Sequence, residues 1–162
     1  MSIILIGFMG AGKSTVAKLL SDDFIDLDKM IEQQIEMPIS TFFDLFGEDD
    51  FRQVEQEVFE AAIHMDFVIA TGGGIVENTG NLDILGFQNQ VVYLKSDFDS
   101  LWQRILKDDK NQRPLAKDKE FARKLFEKRT PVYEKVADLV IAVENKQPDK
   151  IAQEIRDWQG NL

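Results

Sequence analysis

The chain has 162 residues, a formal net charge of −10 at pH 7 and no cysteine. The length suits one domain with a sizeable core, and the negative charge argues against nonspecific binding to nucleic acid. The missing cysteines exclude disulfides and thiolate metal sites, which fits the cytoplasm. We therefore predict a single domain over residues 1–162, located in the cytoplasm, with no nucleic-acid partner.

The chain begins with a short apolar run, MSIILIGFMG. This run is too short to span a membrane and lacks the basic flank of a signal peptide, so it predicts a first strand and no membrane association. Four further apolar runs predict strands: FIDL, FVIAT, VVYL and LVIAV. Helical patterns separate the runs, from KSTVAKLLS after the first to PDKIAQEIRDW after the last. The alternation predicts an α/β fold, a five-stranded parallel sheet with helices on both faces.

Two long segments lie between predicted strands. The first, ISTFFDLFGEDDFRQVEQEVFEAAI, is a helical pattern continued by HM. Recurrence at helical spacing predicts its core-facing residues, which are Phe51, Val54, Val58, Ala61 and Met65. The second segment, KDDKNQRPLAKDKE, covers residues 107–120, is highly charged and contains Pro114. Because it has few apolar anchors, it predicts a mobile excursion between two helices.

The stretch GFMGAGKST follows the first predicted strand and fits the pattern G-x-x-x-x-G-K-[ST]. Its glycines allow backbone N–H groups to surround phosphate oxygens, and the helix that follows adds its positive N-terminus. Lys13 can reach the β- and γ-phosphates, and the Ser14 hydroxyl can ligate Mg²⁺. This context favours nucleotide binding over an ordinary glycine turn. The residues predicted to contact the nucleotide are Gly10, Ala11, Gly12, Lys13, Ser14 and Thr15.

Two further stretches resemble motifs of GTPases. DILG, residues 83–86, has the form of a D-x-x-G switch, and NKQPD, residues 145–149, approaches the guanine-reading N-K-x-D motif. The first lies in a helical pattern rather than at a strand end, and in the second Pro148 stands where the aspartate should be. Guanine recognition is therefore not predicted.

Other polar features also follow predicted strands. The second strand ends in Asp26 and Asp28, and the third is followed by Gly72, Gly73 and Gly74. In an open parallel sheet these features gather at the ligand-binding edge, beyond the carboxyl ends of the strands. Strand alternation predicts that the two aspartates point the same way if both remain extended, with Asp26 the candidate for Mg²⁺ through water. Asp28 is equally suited to cap the next helix or to contact a substrate.

Three arginines complete the set of candidate residues. Arg52 lies on the long helix, where Glu55 is spaced to orient it, and Arg129 precedes Pro131, which predicts the start of another helix. Arg113 lies in the charged excursion. Each could be only a surface charge, but a pair of arginines suits a carboxylate substrate, and an arginine in a lid suits phosphoryl transfer.

The motifs together resemble those of the shikimate kinase family. GFMGAGKST, FIDLD, GEDDFRQVE, ATGGG, RPL and RTPVYEKVAD occur in that family's order over nearly the whole chain. The connector in KLLSDDFIDLD is shorter than is usual in the family. The resemblance implies a phosphate-loop kinase fold with a mobile lid near residues 107–120 and a substrate-binding helical region near residues 28–64. It also implies ATP-dependent phosphorylation of the 3-hydroxyl of shikimate, which gives shikimate 3-phosphate on the route to chorismate and aromatic amino acids.

The resemblance assigns roles on the substrate side. Asp28 would hydrogen-bond shikimate hydroxyls and help to deprotonate the nucleophile. Arg52 and Arg129 would bind the substrate carboxylate. The glycines at residues 72–74 would line the same site, with the backbone of Gly73 in contact with the substrate.

The resemblance also assigns roles on the nucleotide side. Arg113 would close over ATP with the lid, and Arg104 would pack on the adenine. Ser14 and Asp26 match the magnesium positions of the family. Together with Lys13 and Asp28, Arg113 would form the catalytic set, in a monomer with ATP and shikimate as ligands.

Two alternatives remain open from the sequence. One is another small-molecule kinase of the same architecture, acting on gluconate or a nucleoside monophosphate. The other is a regulatory module that binds a nucleotide without catalysis. Acceptor-dependent turnover of ATP separates both from a shikimate kinase.

Overall fold

Five parallel strands form one sheet in the computed structural model, which describes residues 2–108 and 118–162. The strands are β1 (Ile3–Ile6), β2 (Ile25–Asp26), β3 (Val68–Ala70), β4 (Val91–Lys95) and β5 (Leu139–Ala142). Their spatial order is β2-β3-β1-β4-β5, which puts β1 at the centre. The predicted five-stranded parallel sheet is confirmed.

Helices connect the strands and flank the sheet. Those in the described residues are α1 (Lys13–Leu20), α2 (Leu27–Ile35), α3 (Ile39–Ile63), α4 (Thr79–Gly86), α5 (Phe98–Lys107), α6 (Lys119–Val136) and α7 (Pro148–Gly160), with a 3₁₀ helix at Gly73–Glu77. The DILG stretch lies in α4, away from any strand end, as predicted. None of the helices that the structure describes is long and apolar enough to cross a membrane.

The central strand explains why the ligand-binding features meet. Ile4, Leu5 and Ile6 are completely buried, as expected for a parallel strand with both faces covered. Leu5 pairs in register with Ala70 of β3. The phosphate loop that follows β1 and the glycines that follow β3 therefore leave the sheet side by side at one edge.

The second strand is shorter than predicted, and this changes the setting of both aspartates. β2 contains only Ile25 and Asp26, and α2 begins at Leu27. Asp26 caps α2, because its Oδ1 accepts a hydrogen bond of 3.3 Å from the N–H of Lys29. Asp28 lies in the first helical turn and is not extended, so strand alternation does not apply to it. The suggestion that Asp28 caps the helix was wrong.

The core-facing side of α3 also differs from the prediction. Ala61 and Met65 are exposed, and Met65 lies beyond the end of the helix. The buried residues are Phe42, Phe51, Glu55, Val58, Phe59 and Ala62. The predicted set repeated every 3.5 residues on average and so drifts around a straight helix of 3.6 residues per turn. The true stripe was obscured because one of its core positions is a glutamate.

A further correction concerns Pro131, which lies inside α6 rather than at the start of a helix. Its ring removes one backbone donor, yet the helix continues through it. Arg129 therefore lies within α6, two residues before this proline. The predicted excursion falls between α5 and α6, and its residues 109–117, including Arg113 and Pro114, lie outside the described residues.

Candidate active site

The phosphate loop is folded as its motif requires. Gly12 precedes α1 in a left-handed conformation, with φ 88°, which a residue with a side chain adopts only at a cost. Lys13 is 7% exposed, and its Nζ donates hydrogen bonds to the backbone carbonyls of Gly7 and Phe8. These two bonds hold the Lys13 side chain beside the N-terminus of α1, where a helix can bind phosphate oxygens.

A cleft of about 470 Å³ lies in front of this loop. The predicted nucleotide and metal residues that line it are Gly10, Ala11, Gly12, Lys13, Ser14, Thr15, Asp26 and Arg104. Arg104 Nη1 donates a hydrogen bond of 3.3 Å to the carbonyl of Gly10, which ties α5 to the loop. Asp28 and Thr71 also line the cleft, so it extends from the loop towards the residues that follow β3.

Ser14 and Asp26 meet within the cleft. The Ser14 hydroxyl lies 3.1 Å from Asp26 Oδ2, while the other carboxylate oxygen of Asp26 caps α2. A hydroxyl and a carboxylate are oxygen donors of the kind that Mg²⁺ takes from protein, with waters and phosphate oxygens completing its shell. No cluster of three or more carboxylate or histidine ligands occurs in residues 2–108 and 118–162. The pair fits a magnesium ion that arrives with a nucleotide.

Three side chains converge on the glycines after β3. A Cβ atom on Gly72 would lie 2.8 Å from Asp28 Oδ1, and one on Gly74 would lie 2.2 Å from Arg52 Nη2. At Gly73 it would lie 3.4 Å from Arg129 Nη1. The structure therefore brings together the predicted substrate residues from α2, α3 and α6. Gly74 in particular leaves no room for any side chain while Arg52 keeps this position.

Arg52 is held by two acids on its own helix. Its Nη1 lies 3.0 and 3.2 Å from the two carboxylate oxygens of Glu55, and its Nη2 lies 3.5 Å from Glu48. Glu55 is 1% exposed and also accepts a bond of 3.3 Å from Asn81 Nδ2. Burial raises the pKa of Glu55 to about 7, although the charge and hydrogen bonds of Arg52 oppose this rise. The predicted orientation of Arg52 by Glu55 is confirmed.

Arg129 is the more deeply buried of the two arginines, with 2% exposure. Its Nε lies 3.3 Å from Glu77 Oε2, and its guanidinium carbon lies 6.0 Å from the centre of the Phe8 ring. Among the described residues, no hydrogen-bond partner meets Arg129 Nη2 or Arg52 Nε, and both atoms are buried. An anionic ligand that reached either atom would supply the missing hydrogen-bond acceptor.

The hydroxyl groups of Tyr133 and Thr71 hold the backbone around the glycines in place. The Tyr133 hydroxyl donates a hydrogen bond to the carbonyl of Gly73, and the Thr71 hydroxyl donates one of 2.8 Å to the carbonyl of Leu5. Burial raises the pKa of Tyr133 well above its ordinary value, so the hydroxyl stays protonated and keeps donating. These bonds tie the glycine segment to α6 through Gly73, and the preceding Thr71 to the central strand.

Sequence reasoning missed several of these residues. Glu77 and Asn81 carry no local signal, because their partners lie 52 and 26 residues away in the chain. Tyr133 could have been found, since it lies in the stretch RTPVYEKVAD, which begins at Arg129. The predicted lid arginine, Arg113, lies outside the described residues.

Comparison with known proteins identifies the family. A model of the family described as shikimate kinase matches residues 9–159 of the chain. The chain belongs to the shikimate kinase family. A shikimate kinase of Lactococcus lactis subsp. cremoris (strain MG1363) is 62% identical over 98% of this chain and 99% of its own length. A shikimate kinase of Streptococcus gordonii is 45% identical over 96% of this chain and 99% of its own length.

Solved structures agree with this assignment. A shikimate kinase from Acinetobacter baumannii in complex with shikimate superposes with a TM-score of 0.92 at 32% identity, covering 99% of this chain and 93% of that one. A deoxyadenosine kinase from M. mycoides shares only the fold, with a TM-score of 0.62 at 16% identity over 100% of each chain. The predicted family, fold and enzyme class are confirmed, and so is the predicted activity, the phosphorylation of shikimate with ATP.

Proposed function

We propose that the phosphate loop and the site formed by Arg52, Arg129 and the glycines of residues 72–74 together form one active site. In this site a phosphoryl group passes from ATP to the 3-hydroxyl of shikimate. The observation that carries this proposal is the position of Asp28. Its side chain lines the cleft of the phosphate loop, and the same carboxylate lies against Gly72. A hydroxyl that accepts a phosphoryl group must lie between these two regions, within reach of this carboxylate.

On the nucleotide side, the loop N–H groups and Lys13 bind the phosphates. Ser14 and Asp26 would hold Mg²⁺, which neutralises charge on the β- and γ-phosphates when it is bound. Arg104 lies beside the loop at Gly10 and flanks the nucleotide. The cleft thereby orients the terminal phosphate towards Asp28.

On the acceptor side, Arg52 and Arg129 bind the carboxylate of shikimate. Guanidinium groups suit this task, because they donate two parallel hydrogen bonds to a carboxylate. Their buried unpartnered nitrogens support this role. Asp28 accepts a hydrogen bond from a substrate hydroxyl and orients it for attack, and the glycines at residues 72–74 let the ring lie close to the backbone.

The remaining assignments stay predictions. Arg113 would neutralise charge on the transferred phosphoryl group, and the lid near residues 107–120 would exclude water. We also predict a substrate-binding helical region near residues 28–64, a single kinase domain over residues 1–162, a monomeric state and a cytoplasmic location.

The direct experiment is a measurement of ADP release from ATP and Mg²⁺ with and without shikimate. Gluconate, quinate and a nucleoside monophosphate serve as alternative acceptors. We expect shikimate to stimulate ADP release far more than the other acceptors do, with shikimate 3-phosphate as product. Stimulation by another acceptor in its place, or no acceptor-dependent release at all, would contradict the proposal.

A further inference from the structure

Arg129, the second arginine proposed to bind the substrate carboxylate, has an acidic partner from a distant part of the chain. Glu77 is the last residue of the 3₁₀ helix that begins at Gly73, and its side chain is 13% exposed. Its Oε2 lies 3.3 Å from Arg129 Nε, and its Oε1 lies 3.2 Å from Lys128 Nζ. One carboxylate thus bridges two consecutive residues of α6, of which Lys128 is 70% exposed.

The contact uses one particular side of the guanidinium. Because Glu77 meets Arg129 at Nε, the terminal nitrogens Nη1 and Nη2 remain at the far end of the group. Nη1 lies beside Gly73, and Nη2 is buried without a hydrogen-bond partner among the described residues. A carboxylate that binds end-on to Nη1 and Nη2 would complete the hydrogen bonding of this arginine.

We propose that Glu77 is a positioning residue for the acceptor site, which holds Arg129 through Nε so that Nη1 and Nη2 face the substrate carboxylate. This inference rests on the proposed role of Arg129 in binding shikimate. Both ends of the 3₁₀ helix therefore contribute to the site. Gly73 lies beside the guanidinium of Arg129, and Glu77 holds that guanidinium in place.

The charge state of Glu77 suits this task. Burial acts to raise the pKa of Glu77, but the positive charges of Arg129 and Lys128 outweigh it and lower the pKa below its ordinary value. The carboxylate of Glu77 is therefore ionised at neutral pH, the condition under which the substrate is an anion. It offsets the cost of burying Arg129, as buried charges require a partner.

A purely electrostatic role of Glu77 and a positioning role predict opposite changes in the KM for shikimate when Glu77 is removed. A negative charge near Arg129 repels the substrate carboxylate, so its loss would lower the KM for shikimate if charge alone mattered. If Glu77 orients the guanidinium, its loss lets Arg129 turn away and raises that KM. A purely structural role would lower the thermal stability and leave the KM of the folded enzyme unchanged.

The test compares Glu77→Ala, Glu77→Gln and the control Lys128→Met in steady-state kinetics of the full chain. We expect Glu77→Ala to raise the KM for shikimate about tenfold, with the KM for ATP and kcat changed less than about threefold. Glu77→Gln keeps an oxygen that can accept the Nε bond, so we expect a rise of about threefold. Lys128→Met removes only the exposed partner of Glu77, and we expect a change below about twofold. A KM for shikimate that is unchanged or lower in Glu77→Ala would overturn the inference.

A second comparison separates this inference from the proposed site. Arg129→Lys should itself raise the KM for shikimate, and adding Glu77→Ala to it should have little further effect, because the two residues act through one contact. If Arg129→Lys leaves the KM unchanged, the proposed role of Arg129 fails. If Arg129→Lys raises it and Glu77→Ala does not, only the role of Glu77 fails.

Discussion

The two proposed ends of the active site, the nucleotide end at the phosphate loop and the acceptor end at the glycines of residues 72–74, are built in different ways. The phosphate loop consists of contiguous residues between β1 and α1, and its lysine is held by backbone carbonyls. The acceptor end takes Asp28, Arg52 and Arg129 from three helices and sets them against three glycines. The first end relies on backbone dipoles, whereas the second relies on buried side-chain charges.

The difference shows how each end meets the cost of burying charge. A phosphate group brings its own negative charge to backbone N–H groups and needs few fixed ions. The acceptor end must hold two guanidinium groups in place before any substrate arrives. Glu48, Glu55 and Glu77 lie within 3.5 Å of them as acidic partners, and the ionised Glu77 offsets the burial of Arg129. Changes at the two ends should therefore have different kinetic signatures.

The largest effect is expected at the nucleotide end. Lys13→Met removes the cation that reaches the β- and γ-phosphates, and we expect kcat to fall by about 10²–10³-fold. Shikimate binding, measured by calorimetry, should stay within about threefold of the wild type. Lys18→Met, on an exposed turn of the same helix, is the matched control and should keep its kcat. An equal loss of shikimate affinity in Lys13→Met would mean that the two ends do not act separately.

The next effect concerns the stability of the acceptor end against pH. The pKa of Glu55 is about 7 in the folded protein against an ordinary value of 4.5, so the folded state binds this proton more tightly. The stability from Glu55 is present below pH 4.5 and is lost as the pH rises through 7, by about 3 kcal/mol in all. Denaturant unfolding at pH 5 and pH 8 measures this loss, and Glu55→Gln should show a smaller one. An identical loss in both proteins would contradict the prediction.

A smaller effect is expected when the side chain of Arg52 is replaced by one of different shape and the same charge. Arg52→Lys keeps the positive charge beside Glu55 but loses bidentate donation, so we expect the KM for shikimate to rise about tenfold. The KM for ATP should change less than about twofold. Arg123→Lys, at an exposed ion pair with Asp99, is the control and should alter neither constant. A KM for shikimate that does not move would remove Arg52 from the carboxylate site.

The smallest effect is expected from a single added methyl group. Gly74→Ala places a Cβ atom 2.2 Å from Arg52 Nη2, so the guanidinium must shift, and we expect the KM for shikimate to rise about fivefold. Gly86→Ala is the matched control, because in the described part of the chain no atom beyond its own helical backbone and chain neighbours lies within 4 Å of the added Cβ. Steady-state kinetics of both variants should show a change in the first alone. Equal values would show that Arg52 moves without cost.

The same contrast explains what the sequence predicts well. The phosphate loop has fixed spacing within a few residues, so its place between strand and helix follows from the sequence alone. The acceptor residues were named from the family resemblance, because nothing local links Arg52 to Gly74 or Asp28 to Gly72. Asp28 was misplaced on a strand because Asp26 caps α2 and starts the helix earlier. Glu77 was missed because only the tertiary fold brings it to Arg129.

The central claim is that Arg52 and Arg129 bind the carboxylate of shikimate. Calorimetric titration of shikimate and of its methyl ester, with ADP present throughout, tests it in the wild type and in the variant that combines Arg52→Lys with Arg129→Lys. We predict that the wild type binds the acid at least about 30-fold more tightly than the ester, and that the variant prefers it by less than about threefold. A variant that keeps the full preference for the acid would contradict the claim.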